Sequence, residues 1–287
     1  MHRITRGMML VPLFLLQTSS FALWVISSEN NSLAPWIETV LFSSQSASIA
    51  AYSITDPEVV HFLPTIEASI LAEKADVKAY KRDPYENLFH AKLLVTPKYA
   101  LFGSMNFTHS SLHEDLNDAI VFNEKDMIQA LAALFHTLWD FQGKSIYKTR
   151  YGVFYVGPFQ NLEEVVMQLL SKARKEVKIA VYAFTDKNIL GALKFLTSLG
   201  VEVKIAIDDW NKNFLLGEKL EQFQVKVFSK TTLHHKFLIV DDTWLLTGSA
   251  NFTESGFHKN FELIFVTNNK EIVKSYLEIF EAIWNWR

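Results

Sequence analysis

Two histidine–lysine pairs, His90/Lys92 and His234/Lys236, have the residue types and spacing that suit chemistry. Each pair reads as part of a strand, where residues i and i+2 face one side, so an imidazole and an ammonium group project together. Each is followed by Gly-Ser-x-Asn-Phe-Thr: Gly103, Ser104 and Asn106 after the first, Gly248, Ser249 and Asn251 after the second. One such stretch is explained by chance; two need a common cause. Assembled, they would gather two imidazoles, two ammonium groups, two hydroxyls and two carboxamides, with a carboxylate behind. That inventory suits a phosphodiester centre. Lysines and neutral donors stabilise charge on the non-bridging oxygens. One neutral histidine attacks phosphorus, and the other, protonated, gives a proton to the leaving oxygen. The set calls for no metal ion and no cofactor.

Positioning both pairs requires a repeated scaffold. Trp24 to Ser27 reads as a strand, Ser32 to Phe42 as a helix with apolar residues on one side, and Ser48 to Asp56 as a strand ending at a helix cap. The series recurs as Val153 to Val156, Leu162 to Ala173 and Val177 to Asp186, and both third members end Tyr-x-x-Thr-Asp, at Tyr52 and Tyr182. The second copy continues with a helix from Asn188 to Leu199, a strand at Val201 to Ile207, a short helix near Leu215 to Glu221 and a strand at Val225 to Phe228. The first continues with a helix over Pro57 to Leu71 and a strand at Val77 to Tyr80, as though one strand and one short helix had been lost. From Gly103 to Trp139 the halves align without a gap at a constant offset, which pairs His113 with His258. Each half closes with a strand and a helix. Near-continuous apolar strands such as Phe237 to Val240 imply burial on both faces by helices. The fold class expected is α/β: two similar halves, each a mixed β-sheet flanked by helices, related by a pseudo-two-fold axis with one shared site. The halves are placed at 23–142 and 150–287, with the link near Phe141 to Tyr151.

Composition fits this reading. Hydrophobic residues make up 49% and charged residues 21%, which implies a packed core. The net charge of −3 and pI near 6.3 do not match a protein that grips nucleic acid through many phosphates. Lys78, Lys81 and Arg82, with Lys226 and Lys230, could still form a local basic mouth. With no cysteine, disulfides and thiolate metal sites are excluded. Residues 1–22 have a positive start, an apolar run from Met8 to Leu16 and small residues at Ser20 and Ala22, the layout of a signal peptide cleaved after Ala22. The protein is therefore expected to be exported, or anchored by this segment if it is retained.

The pattern His-x-Lys-x4-Asp-x6-Gly-Ser-x-Asn, complete from His234 through Asp241 to Asn251 and imperfect from His90 to Asn106, resembles the phospholipase D superfamily with its "HKD" motif. The resemblance covers essentially all of the chain after the leader. It implies a single metal-independent active site between the halves, acting through a phosphohistidine and lined by His90, Lys92, Ser104, Asn106, His234, Lys236, Ser249 and Asn251, with the serines and asparagines on the substrate phosphate. It also implies a carboxylate after each Gly-Ser-x-Asn to hold a catalytic histidine. Glu262 fits; its counterpart is Asn117. The first motif has Pro97 where the second has Asp241. The asymmetry suggests that Glu262 keeps His234 cationic as general acid, while His90, facing an amide, is the nucleophile. Asn117, Asp241, His113 and His258 are candidates for a supporting layer. The bland readings are turn roles for Asn106 and Asn251, a solvated Glu262 and structural roles for His113 and His258.

The substrate expected is a phospholipid. The alternatives are an exported endonuclease using the same chemistry, and an inactive phosphate-binding module. Trp210, Phe214, Leu215 and Leu216 lie on a segment unique to the second half that could meet a lipid surface. With both halves in one chain, the protein is expected to be a monomer.

Overall fold

The computed structural model describes residues 23–211 and 220–286; the expected leader, and Phe214 to Leu216, lie outside them. The first half contains strands β1 (Leu23–Ser27), β2 (Ser46–Ile54), β3 (Glu67–Ala75), β4 (Lys81–Arg82), β5 (Leu93–Val95), β6 (Ala100–Gly103) and β7 (Asp118–Phe122). Its helices are α1 (Leu33–Phe42), α2 (Pro57–Phe62), α3 (His109–His113) and α4 (Lys125–Asp140). The second half contains strands β8 (Ile146–Lys148), β9 (Val153–Gly157), β10 (Glu176–Val181), β11 (Glu202–Asp208), β12 (Gln224–Phe228), β13 (Lys236–Val240), β14 (Trp244–Gly248) and β15 (Glu262–Thr267). Its helices are α5 (Leu162–Leu170), α6 (Lys187–Ser198), α7 (Glu254–His258) and α8 (Lys270–Trp284).

Two mixed sheets result, in the orders β1-β7-β6-β5-β2-β3-β4 and β12-β11-β10-β13-β14-β15-β9-β8. The expected link contributes an edge strand, because β8 pairs antiparallel with β9. The long closing helices α4 and α8 lie in a central layer: Leu131, Leu134 and Leu138 share one core with Tyr276, Phe280 and Ile283 and with inward residues of both sheets, including Phe102 and Phe237. Separate cores fill the outer faces, one under α5 and α6 and one under α1. No helix of the described residues is long and apolar enough to cross a membrane.

The sequence reading fails at Pro57 to Leu71. A helix starts there, capped by the Asp56 side chain on the Glu58 and Val59 amides. It stops at Phe62 and runs into a 3₁₀ turn that contains Pro64, whose missing N–H and fixed φ end the helix. Glu67 to Ala75 is instead a strand, parallel to β2, and no strand forms at Val77 to Tyr80. The first half has therefore kept both strands of this region, the second trimmed to Lys81–Arg82.

The Gly-Ser turns are dictated by a close approach. A Cβ on Gly248 would lie 2.1 Å from the Leu263 carbonyl oxygen, and its φ is +150°; a Cβ on Gly103 would meet the Asp118 carbonyl at the same distance. Gly248→Ala is expected to destabilise the fold by more than about 3 kcal/mol. Urea unfolding within about 1 kcal/mol of wild type would contradict this account.

Candidate active site

The two histidines lie just before β5 and β13, and each is paired to the opposite half. The His90 amide donates to the Phe261 carbonyl (2.8 Å), and the His234 amide donates to the Leu116 carbonyl (2.9 Å). These contacts continue short cross-half bridges, Phe89 with Phe261 and Leu116 with Leu233. The next residue on each partner strand then decides what stands behind the imidazole. Glu262 follows Phe261, and its oxygens lie 2.9 and 3.0 Å from His90 Nδ1. Asn117 follows Leu116, and its Oδ1 lies 2.8 Å from His234 Nδ1. The expected pairing is thus reversed: Glu262 holds His90, and the amide holds His234. The side chain behind each histidine acts across the pseudo-two-fold axis.

Hydrogen bonding fixes the tautomers. Asn117 Nδ2 donates to the Ser111 carbonyl and hydroxyl, and its Oδ1 also accepts from Ser104 Oγ at 2.9 Å. The amide can therefore only accept from His234, which must carry its proton on Nδ1. Glu262 accepts from the hydroxyl of Ser249 and from Asn260 Nδ2, and is held ionised. In both rings Nε2 has no hydrogen-bond partner among the described residues. Ser104 and Ser249 were expected on the phosphate. Both are buried, and their hydroxyls orient Asn117 and Glu262 instead. They also accept the backbone amides of Asp118 (3.0 Å) and Leu263 (2.9 Å).

The lysines are almost wholly buried. Lys92 Nζ donates to the His90 carbonyl and Lys236 Nζ to the His234 carbonyl, both at 2.5 Å. Burial brings Lys92 down to about 7 despite the Glu262 charge. Burial and the neighbouring Lys92 push Lys236 well below its ordinary value. His234 is likewise held well below the usual imidazole range, by burial and then by the Lys236 and Lys92 charges. His90 is lowered by burial, with Glu262 opposing. Burial also works against the charged form of Glu262, but His90 and Lys92 outweigh it and keep the carboxyl below its usual value. Burial, and then repulsion among the cations, thus depress these groups, and an anion bound between them would relieve the repulsion.

The repeated Tyr-x-x-Thr-Asp marker has a use that the sequence did not reveal. The Tyr52 ring packs 5.6 Å from His90 and Tyr182 packs 5.3 Å from His234. Lys92 and Lys236 stand over the same rings at 5.8 and 5.4 Å. Trp210, 55% exposed, lies 6.0 Å from Tyr182. Asn251 Oδ1 accepts the Ala183 amide at 3.3 Å. Asn106 Oδ1 is buried without a partner among the described residues.

Three other candidates stand away from this pocket. Asp241, at φ +51° in the turn after β13, accepts the amides of Arg174, Lys175 and Glu176. It anchors a loop, so Pro97 in the first motif removes an anchor and not a catalytic group. His113 Nε2 lies 3.9 Å from Asp56. His258 Nε2 bonds Glu163 at 2.7 Å. The expected basic mouth also weakens, because Lys81 donates to the Trp139 carbonyl at the end of α4 and Lys226 donates to the Trp284 carbonyl at the end of α8. Both cap helix C-termini, where a cation is favoured.

His235, the middle residue of the second motif, was missed. It is fully buried, with Nδ1 on Asp118 and Nε2 on Glu29, both at 2.6 Å. Asp118 also accepts the Tyr276 hydroxyl at 2.5 Å. Burial opposes a charge here, but Glu29 and Asp118 outweigh it and raise His235 to about 9. This cation joins the halves. Its contribution is full below the unfolded value near 6.5 and is lost as pH rises through the folded value. The stability difference between wild type and His235→Ala should therefore shrink by about 3 kcal/mol between about pH 6.5 and 9. A difference that stays constant across that window would refute it.

Two histidines with free Nε2 atoms and opposed, tautomer-fixing partners, set beside two buried lysines, define a duplicated phosphodiester-type site between α/β halves. The sequence profile described as "Cardiolipin synthase, PLD-like domain" matches residues 56–139 and 166–284, and the chain belongs to this phospholipase D-like family. Mitochondrial cardiolipin hydrolase of Xenopus tropicalis is 32% identical over 127 residues, covering 42% of this chain and 59% of that protein. A probable cardiolipin synthase of Bacillus subtilis is 24% identical over 224 residues, 67% of this chain and 45% of that one. The chain thus spans about half the length of these curated relatives. The crystal structure of phosphatidylserine synthase from Haemophilus influenzae superposes over 92% of this chain and 86% of its own with a TM-score of 0.70 at 11% identity, and supports the fold.

Proposed function

We propose that the protein is a phosphodiesterase of the phospholipase D type that cleaves a phospholipid through a phosphohistidine, with no metal ion needed. The observation that carries this is the occupied Nδ1 and free Nε2 of both His90 and His234. His90 is the nucleophile. Its Nε2 lone pair attacks phosphorus, and Glu262 offsets the positive charge that the ring gains as the bond forms. His234, backed only by a neutral amide, gives up a proton readily and is the general acid toward the leaving alkoxide. The substrate phosphate offsets the Lys92 and Lys236 charges that depress His234, so the proton is taken up as substrate binds. In the second half-reaction neutral His234 accepts a proton from water, the water oxygen bonds phosphorus, and the bond to His90 breaks. An alcohol in place of water would yield phosphatidyl transfer. Lys92, Lys236 and the Asn106 and Asn251 amides are assigned to the non-bridging oxygens.

A lipid is favoured over a nucleic acid because the net charge of −3 does not suit a grip on many phosphates. Half-buried Asp115 also lies near enough to act on the Lys236 charge. Exposed Trp210 offers an apolar contact there. The names of the curated relatives point the same way. The test offers the purified chain, in EDTA, vesicles of cardiolipin or phosphatidylglycerol and, separately, single- and double-stranded DNA and RNA. Lipid cleavage lost in His234→Ala is expected. Nucleic-acid cleavage alone would favour the endonuclease, and activity on neither, with His234→Ala and wild type alike, would favour the inactive phosphate-binding module. The leader reading implies export after cleavage behind Ala22. The first described strand starts at Leu23, so cleavage would leave the sheet whole; amino-terminal sequencing of the mature protein tests it. One chain supplies both halves of the site, consistent with a monomer.

A further inference from the structure

We propose that Asp56, His109 and His113 form a binding site for a borderline divalent transition-metal ion, such as Zn²⁺ or Co²⁺, on the first half and apart from the phosphodiester pocket. The inference does not depend on the activity proposed above. Asp56 is almost wholly buried, and its Oδ1 is used in capping α2, where it accepts the Glu58 and Val59 amides at 3.0 and 3.1 Å. Its Oδ2 faces two imidazoles, His109 Nδ1 at 3.8 Å and His113 Nε2 at 3.9 Å. Both separations exceed a hydrogen bond, yet all three donor atoms lie within 4.8 Å of one another. Bonds of about 2.0–2.2 Å to a tetrahedral ion would place the donors about 3.3 Å apart. Each imidazole must therefore close on Asp56 by about half an ångström, and the two imidazoles, within 4.8 Å of each other, by at most about 1.5 Å, which rotation of the exposed His109 ring supplies.

The donor set selects the ion. Two imidazoles and one carboxylate suit Zn²⁺, Co²⁺, Ni²⁺ or Cu²⁺, whereas Mg²⁺ and Ca²⁺ prefer an all-oxygen shell. The histidines are four residues apart on α3, with ring centroids 4.7 Å apart, and the accessible His109 leaves room for water as a fourth ligand. Glu38 lies close enough to feel the His113 charge, and Glu114 lies 4.0 Å from His109 Nε2, so the surroundings are acidic. The scaffold does not demand this cluster. In the second half the capping aspartate is kept as Asp186, but Glu254 replaces His109 by alignment, and His258 is bonded to Glu163 instead.

An ion here would tie α2 to α3. Helix α3 also carries Ser111, which receives the Asn117 amide and, through Oγ, the Asn106 amide N–H at 2.8 Å. The metal would thus be a positioning device for the amide that orients His234. The test is calorimetric titration of Zn²⁺ into the EDTA-stripped full chain, with Co²⁺ absorption as a second readout. Wild type and the His90→Ala/His234→Ala double variant should each bind one ion, with Tm rising by about 5 °C at 100 times Kd. His109→Ala and His113→Ala should bind at least tenfold more weakly while matching wild-type Tm in EDTA. Absence of binding in wild type, binding that survives both α3 substitutions, or binding lost only with His90 and His234 would overturn the proposal.

Discussion

Alanine at position 90 is expected to lower turnover by about 10⁴-fold or more and to abolish the covalent intermediate, because no other group can occupy the attacking position. Alanine at 234 should behave differently. With a natural alcohol leaving group the first half-reaction stalls. With a p-nitrophenyl phosphodiester, whose leaving group needs no proton, phosphorylation of His90 should proceed at near the wild-type rate. The phosphoenzyme should then accumulate, since the base that activates water is missing. Acid quench and mass spectrometry locate the label. A phosphoryl group on His234 in wild type, or no accumulation in His234→Ala with the activated substrate, would reverse or remove the assignment.

The second large effect concerns the groups behind the rings. Glu262→Gln keeps the shape but removes the charge that stabilises the phosphorylated His90, and is expected to cost about 10³-fold in kcat. Because Glu262 is one of the few charges holding the Lys92 ammonium up, the variant should also bind inorganic phosphate with an affinity that falls off at lower pH than in wild type. The reciprocal change, Asn117→Asp, places a carboxylate on His234 and should raise its value. The alkaline limb of kcat then moves to higher pH, and kcat falls because the acid is weaker. If Asn117→Asp leaves the alkaline limb in place, the proton on that limb is not the one on His234.

Both predictions rest on a pairing that the sequence could not supply. His90, Lys92, His234 and Lys236 were legible because a doubled pattern needs a common cause, and the strand spacing then put each pair on one side. The partners were not legible, because Glu262 and His90 are 172 residues apart and meet only through the backbone bridge between Phe89 and Phe261. Alignment put Glu262 in the half of His234 and suggested a contact within that half; the bridge crosses instead. Ser104 and Ser249 were misassigned for a related reason. Their types suit a phosphate, but the close approach that requires Gly103 and Gly248 turns the hydroxyls toward Asn117 and Glu262. The helix over Pro57 to Leu71 failed through a local cause, Pro64, whose effect was outweighed in the reading by the apolar spacing around it. His235 is not legible because the pattern His-x-Lys leaves its position open, whereas the alternation of a strand sends its side chain to the opposite side, into the seam between the halves, where Glu29 and Asp118 hold it.

The crossed bridges carry a consequence for how such a protein can change over generations. In a symmetric pair of identical chains, both histidines would be obliged to face the same partner, and neither could be favoured for one job. Joining the two copies in a single gene lifts that obligation. A substitution at 117 now alters the surroundings of His234 alone, and one at 262 those of His90 alone. The amide at one position and the carboxylate at the other are a difference that only a fused duplicate can fix. Roles that two identical subunits would have to share at random become inherited properties of named positions.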